Sequence, residues 1–170
     1  MSLEIAVAGA ERIDELEPLW LALHRHHREV AAQPVVADDA ASWTRRRAWY
    51  LEMLAGGEDV VLIAERGGRP VGYAFLHLHH GPDDTWPVDG RWGEVVSLSV
   101  LPDERGAGVG TALLDAVDAE LAARGIRDLQ VAVMAGNADA LRLYQRRGLE
   151  PGELVLFRFG TEPDGGEATS

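Results

Sequence analysis

Arg105-Gly106-Ala107-Gly108-Val109-Gly110-Thr111 lies between a strand-like run, Glu94 to Val100, and a segment carrying Leu113, Val117 and Leu121 on one helical face. Its three glycines let the backbone turn tightly and meet a ligand without Cβ clashes. A helix opening here presents unpaired N–H groups and the positive end of its dipole. Together these features make an anion site suited to phosphate or pyrophosphate. On local grounds alone, a plain glycine-rich turn is the alternative. A Walker A loop fits poorly, because it requires Gly-Lys-Ser/Thr where the chain has Gly110-Thr111 and no lysine. A dinucleotide fingerprint fits no better. It requires a glycine where Thr111 stands and an acidic residue after the next strand, which ends in Val133-Met134-Ala135.

The pattern on either side of this loop predicts a mixed α/β domain. Leu3 to Val7 alternates as a first strand. Ile13, Leu16, Trp20, Leu23, His27 and Val30 recur at helical spacing, and Trp43, Arg47, Tyr50 and Leu54 suggest a second helix ended by Gly56-Gly57. Asp59 to Glu65 and Pro70 to His80 form a hairpin around Gly67-Gly68. A loop from Gly81 to Gly93 precedes the strand Glu94 to Val100. After the glycine loop and its helix, with Gly125 as the C-terminal stop, come a strand at Leu129 to Val133 and a short helix capped by Asn137. Leu154 to Phe159 reads as a final strand. One domain over residues 1–160 is expected, followed by a disordered tail at 161–170, whose TEPDGGEATS has no large apolar residue.

Two stretches in this order resemble the GNAT superfamily of acyl-CoA-dependent N-acyltransferases. Arg105 to Gly110 matches that family's Q/R-x-x-G-x-G/A loop, and Asn137 to Leu149 (NADALRLYQRRGL) is similar to its N-x-x-A-x-x-L-Y-x-x-x-G-F segment, with Leu149 in place of Phe. The likeness covers roughly residues 3–160 and implies a mostly antiparallel sheet with flanking helices, splayed between the fourth and fifth strands. It further implies acetyl-CoA as co-substrate, its pyrophosphate held by the amides of Arg105, Gly106, Ala107, Gly108, Val109, Gly110 and Thr111. By the same likeness Leu98, Ser99 and Val100 pair with the pantetheine arm, Asn137 touches that arm, and Tyr144 reaches the sulfur.

The residue chemistry agrees with these roles. A pantetheine arm carries two amides in extended form, and a sheet edge is a fitting partner for it. A departing thiolate gains from a donor, and the Tyr144 phenol offers an O–H. The plainer reading of Tyr144 is a core aromatic packed on Leu141. The resemblance also implies a glutamate at the start of the fourth strand acting on the amine through water, which here is Glu94, in side-chain parity with Val96 and Leu98 before any bulge; otherwise it is a strand-end surface charge. His77 and His79 share a strand face with Tyr73 and Phe75 and are rival bases, pocket walls or solvated groups. No third ligand is evident beside them, so no metal is expected. His24, His26 and His27 lie on a helix, with His27 in its apolar stripe.

The chain has 170 residues, no cysteine, and 28 acidic against 16 basic side chains, for a net charge of −12. Every basic residue is arginine. This balance disfavours nucleic acid and is permissive for a cationic acceptor. No cysteine means no thiol-bound acyl-enzyme, so transfer is expected to be direct. No run approaches a membrane span, and no signal segment opens the chain, so a cytoplasmic location is expected. Trp43, Trp49, Trp86 and Trp92 are candidates to wall an acceptor pocket, to fill the core, or to meet a partner subunit in a homodimer. The expected partner is an amine, carried by a small molecule or by a protein N-terminus or side chain. A non-catalytic acyl-CoA-binding or sensing module fits the same glycine loop.

Overall fold

The computed structural model describes residues 1–33, 37–88 and 90–160, so the expected tail at 161–170 lies outside the described residues. Five strands form one sheet in sequence order: β1 (Leu3–Ala8), β2 (Val60–Arg66), β3 (Arg69–His80), β4 (Arg91–Val100) and β5 (Leu129–Val131). The first four pair antiparallel, and β5 runs parallel to β4. The helices are α1 (Glu17–Val30), α2 (Asp39–Leu54), α3 (Val109–Ala123) and α4 (Ala138–Gln145). This is the mixed α/β architecture the sequence predicts.

Each face of the sheet buries its own core. On one side Leu62, Ala74, Leu76 and Val95 pack against Leu113, Val117 and Leu121 of α3. Each such side chain contributes about 1.5–3 kcal/mol on full burial. The close approach of α3 depends on Gly93, where a Cβ would stand 2.7 Å from Leu121 Cδ2. On the other side Val61, Ile63, Tyr73 and Phe75 meet Leu19, Trp20, Trp43 and Tyr50 from α1 and α2. The helical stripe beginning at Ile13 is divided: residues Ala10–Leu16 form a 3₁₀ segment, and α1 starts at Glu17 with Pro18 in its first turn.

Two features of β4 matter for the site. Its pairing with β5 covers only Gly93, Glu94 and Val95, so Val96 to Val100 have no strand partner on that side. The sheet therefore opens between β4 and β5, as expected. The second feature is a bulge: Phe75 faces Ser97 while Leu76 faces Val95, leaving Val96 extra in β4.

The final strand is not formed. Residues 149–160 have no regular structure, and Leu154, Val155, Leu156, Phe157 and Phe159 are 63–84% exposed. A run of large apolar residues reads as a strand, but a strand requires an edge to pair with, and β5 offers only three residues.

Candidate active site

The glycine loop has the geometry its composition predicts. Gly106 and Gly108 adopt φ of 76° and 81°, a left-handed backbone that other residues enter at a cost. Gly108 is the N-cap of α3, and no side chain caps it. The amides of Val109, Gly110 and Thr111 are therefore left for a ligand or for water. Cβ positions built at Gly106 and Gly108 meet nothing within 4 Å, so space stands open above the loop. Uncapped amides beneath open space fit a phosphate group. Arg105 is turned elsewhere, its Nε donating to the carbonyl of Val100 at 3.2 Å. It ties the loop to the end of β4, and its backbone amide donates to the Pro102 carbonyl at 3.4 Å, so the expected contact of that amide with the pyrophosphate is not shown.

The loop, β4 and α4 converge. A Cβ on Gly110 would lie 3.4 Å from Leu143 of α4, and 3.9 Å from both Leu98 and Val100 of β4. Asn137 caps α4 through Oδ1, which accepts from the Ala140 amide at 3.2 Å. That leaves its side-chain N–H₂ without a partner among the described residues. Tyr144 is 6% exposed in the core beside α3. Burial pushes its phenol up to about 12, so it remains a neutral O–H donor at neutral pH. No hydrogen-bond partner for that hydroxyl occurs among the described residues.

The bulge sorts the side chains of β4. Leu98 and Val100 join the core beneath α3. Ser97 accepts from the Tyr50 hydroxyl at 2.7 Å, and Ser99 donates to the Leu19 carbonyl at 2.7 Å, so both face α1 and α2. Glu94 shares this second face with Val96. Its expected parity with Leu98 is broken, because Val96 and Ser97 point the same way across the bulge. Tyr144 therefore belongs to the core on the α3 side of the sheet, and Glu94 to the opposite face.

Glu94 is not alone. Nε2 of His79 donates to Glu94 Oε2 at 2.7 Å, and the His79 ring stacks on Trp92 at 4.8 Å. The neighbouring His77 ring stands edge-on to His79 at 4.5 Å. Nδ1 of His77 donates to Asp59 Oδ2 at 2.7 Å, and Asp59 Oδ1 accepts from the Leu78 amide at 3.0 Å. The Asp59 side chain is 4% exposed. A buried carboxylate holding Nδ1–H leaves Nε2 of a neutral His77 as an acceptor. Sequence reasoning missed Asp59, although an acidic residue opening a strand opposite alternating histidines was a signal. Among the described residues no group of three or more His, Asp or Glu side chains is placed to hold a metal.

The tryptophans do not form one wall. Trp43 is buried in the core, and Trp86 donates to Glu153 at 3.1 Å on the surface. Trp92 covers His79, and Trp49 lines a cleft with Trp20, which the sequence placed among the core positions of α1.

The acetyltransferase (GNAT) family model matches residues 20–149. A mycothiol acetyltransferase from Thermobispora bispora is 34% identical over 139 residues, which cover 78% of this chain and 42% of that protein. The chain therefore spans less than half the length of that relative. An L-2,4-diaminobutyric acid acetyltransferase from Nocardia farcinica is 28% identical over 182 aligned residues, covering 96% of this chain and 91% of that protein. A solved GCN5-related N-acetyltransferase from Ralstonia eutropha JMP134 superposes with a TM-score of 0.71 at 25% identity, over 93% of this chain and 99% of the other.

Proposed function

Because the chain belongs to the acetyltransferase (GNAT) family, we propose that it moves an acetyl group from acetyl-CoA to a primary amine by direct attack in a ternary complex. The observation that carries this proposal is the uncapped amide end of α3, turned toward the part of β4 that β5 leaves unpaired. Acetyl-CoA supplies an activated acyl group on a thiolate leaving group. The amides from Gly106 to Thr111 hold its pyrophosphate, and Leu98, Ser99 and Val100 offer backbone groups to the pantetheine amides. The Asn137 side-chain N–H₂ contacts the same arm.

The proton work falls to residues on the two faces of the sheet. As the amine nitrogen bonds to the acyl carbon and the carbon–sulfur bond breaks, Tyr144 donates its O–H toward the sulfur. The Glu94–His79 pair takes the proton from the ammonium through water. Catalysis from Glu94 alone or from a histidine alone reduces here to one hydrogen-bonded unit. His77, held by Asp59, is the next acceptor in line.

The relatives' names specify small-molecule acceptors, and a small amine is proposed for this chain ahead of a protein amine. A cytoplasmic location goes with the proposal. Among the described residues no helix is long and apolar enough to cross a membrane. All the residues invoked come from one chain, so a homodimer is not part of the proposal. The test is release of free thiol from acetyl-CoA across a panel of amines. Binding of acetyl-CoA without thiol release from any amine would assign the chain to the non-catalytic module instead.

A further inference from the structure

Arg46 and its neighbour Arg45 differ from three other arginines on these helices. Arg47 is bonded to Asp14, and Arg25 and Arg28 share Asp39. Arg46 has no carboxylate partner among the described residues. Its guanidinium carbon lies 4.0 Å from the ring centre of Trp20, 4.7 Å from Trp49 and 5.4 Å from Tyr50. Aromatic rings attract the cation through their faces and shield it from water. The guanidinium also lies beside the Tyr50 hydroxyl, and its N–H groups are the part that meets a carboxylate in a two-point contact.

Arg46 lines a cleft of about 330 Å³ together with Trp20, Ala37, Ser42, Arg45 and Trp49. A cleft of this size suits a small ligand. Ser42 accepts from Trp20 Nε1 at 3.0 Å, and its own O–H remains a donor. The cleft therefore offers two guanidinium groups and a hydroxyl, all donors, and its lining contains no acidic side chain. In a chain with a net charge of −12, this is a local inversion of sign. The cleft also lies on the acceptor side of the sheet. Tyr50, the third ring around Arg46, donates to Ser97 on β4, three residues beyond Glu94 and on the same face.

The geometry points to Arg46 as the recognition group for a carboxylate on the acceptor, which makes the acceptor an amino acid or a close amino-acid derivative. This inference rests on the transferase reading and refines it. It also replaces the expectation of a simple cationic acceptor, since whole-chain charge does not describe this cleft.

The test measures kcat/KM by thiol release for L-α-amino acids and diamino acids, each beside its carboxamide and its decarboxylated amine. The expected result is at least one carboxylate acceptor favoured about tenfold or more over its carboxamide, the scale of one charge-assisted contact. Arg46→Met is expected to collapse that ratio to near unity by raising KM for the carboxylate form, and Arg46→Lys to leave an intermediate ratio. Trp49→Ala, at an exposed position, should lower the ratio as well if the cage orients the guanidinium. Equal or better use of the uncharged partners by the wild type overturns the inference, as does a ratio that survives Arg46→Met. Turnover confined to carboxylate-free amines overturns this inference and leaves the transferase reading intact. Acetyl-CoA binding with no turnover of any amine overturns both.

Discussion

Oε2 of Glu94 lies 2.7 Å from Nε2 of His79, across the β3–β4 pairing and one step diagonal to it. The directly opposed pairs are His77 with Glu94 and His79 with Trp92. Diagonal neighbours on one face are within reach of long side chains, and here a carboxylate and an imidazole use that reach. Asp59, just before β2, bonds His77 from the directly opposite position. Two carboxylate–imidazole pairs therefore stand side by side next to the place where the sheet opens. In each pair the carboxylate fixes the orientation of the imidazole, which is what a base needs when its substrate arrives as an ammonium ion.

Tyr144→Phe should lower kcat by about 10²-fold while acetyl-CoA affinity stays within about twofold. The phenol is buried and neutral, with its pKa up at about 12, so it acts by donating as negative charge reaches the sulfur. Steady-state kinetics alongside calorimetry separates the two effects. A loss confined to affinity would make Tyr144 a packing residue.

Gly108→Val should abolish measurable acetyl-CoA binding. The residue sits at φ 81°, where a β-branched side chain is strained, and its Cβ side faces the space the pyrophosphate is to fill. Gly108→Asn tolerates the left-handed backbone better and isolates the steric part. Calorimetric titration of the folded variants is the check. Wild-type affinity in both would remove the loop from the binding site.

Much of this was legible in the sequence because it is local. Glycines that must turn left-handed, an Asn that caps a helix and a two-glycine hairpin all announce themselves within a few residues. The bulge at Val96 does not, because Val95-Val96-Ser97 alternates no differently from an unbroken strand and the irregularity exists only in pairing with β3. The Asp59–His77 bond joins residues 18 apart, and the Arg46 cage depends on the angle between α1 and α2. With 16 arginines in the chain, nothing in the sequence marks Arg46 as the one beside three aromatic rings. Leu154 to Phe159 failed for the opposite reason: a sound local pattern met too short an edge.

His27 makes stability depend on acid. Burial first, then the charges of His26, His24 and Arg46, hold its pKa down to about 4 from 6.5. Below about 6.5 the unfolded chain takes up a proton that the folded chain refuses until about 4. This contribution is full above pH 6.5 and is lost as pH falls through 4. The slope is at most about 1.4 kcal/mol per pH unit, and less here because the ring is partly exposed. His27→Gln should flatten the fall in urea midpoint between pH 7 and pH 4.5. Parallel curves for the two proteins would exclude His27 as the cause.

Glu94→Gln keeps the shape of the side chain and removes the base. At neutral pH kcat should fall about 10²-fold or more, then recover in part as rising pH supplies free amine. Acetyl-CoA affinity should hold, since the glycine loop lies at the far end of β4 from Glu94. His79→Gln should cost a comparable amount if the two side chains act as a unit, because either change breaks the 2.7 Å bond. The decisive measurement is the double variant. Groups that share one proton are non-additive, so Glu94→Gln with His79→Gln should be little slower than either single change. Full additivity would mean two independent roles. A pH–rate profile for Glu94→Gln that matches the wild type would return Glu94 to the status of a strand charge and pass the role to His77, whose Nε2 is kept free by Asp59.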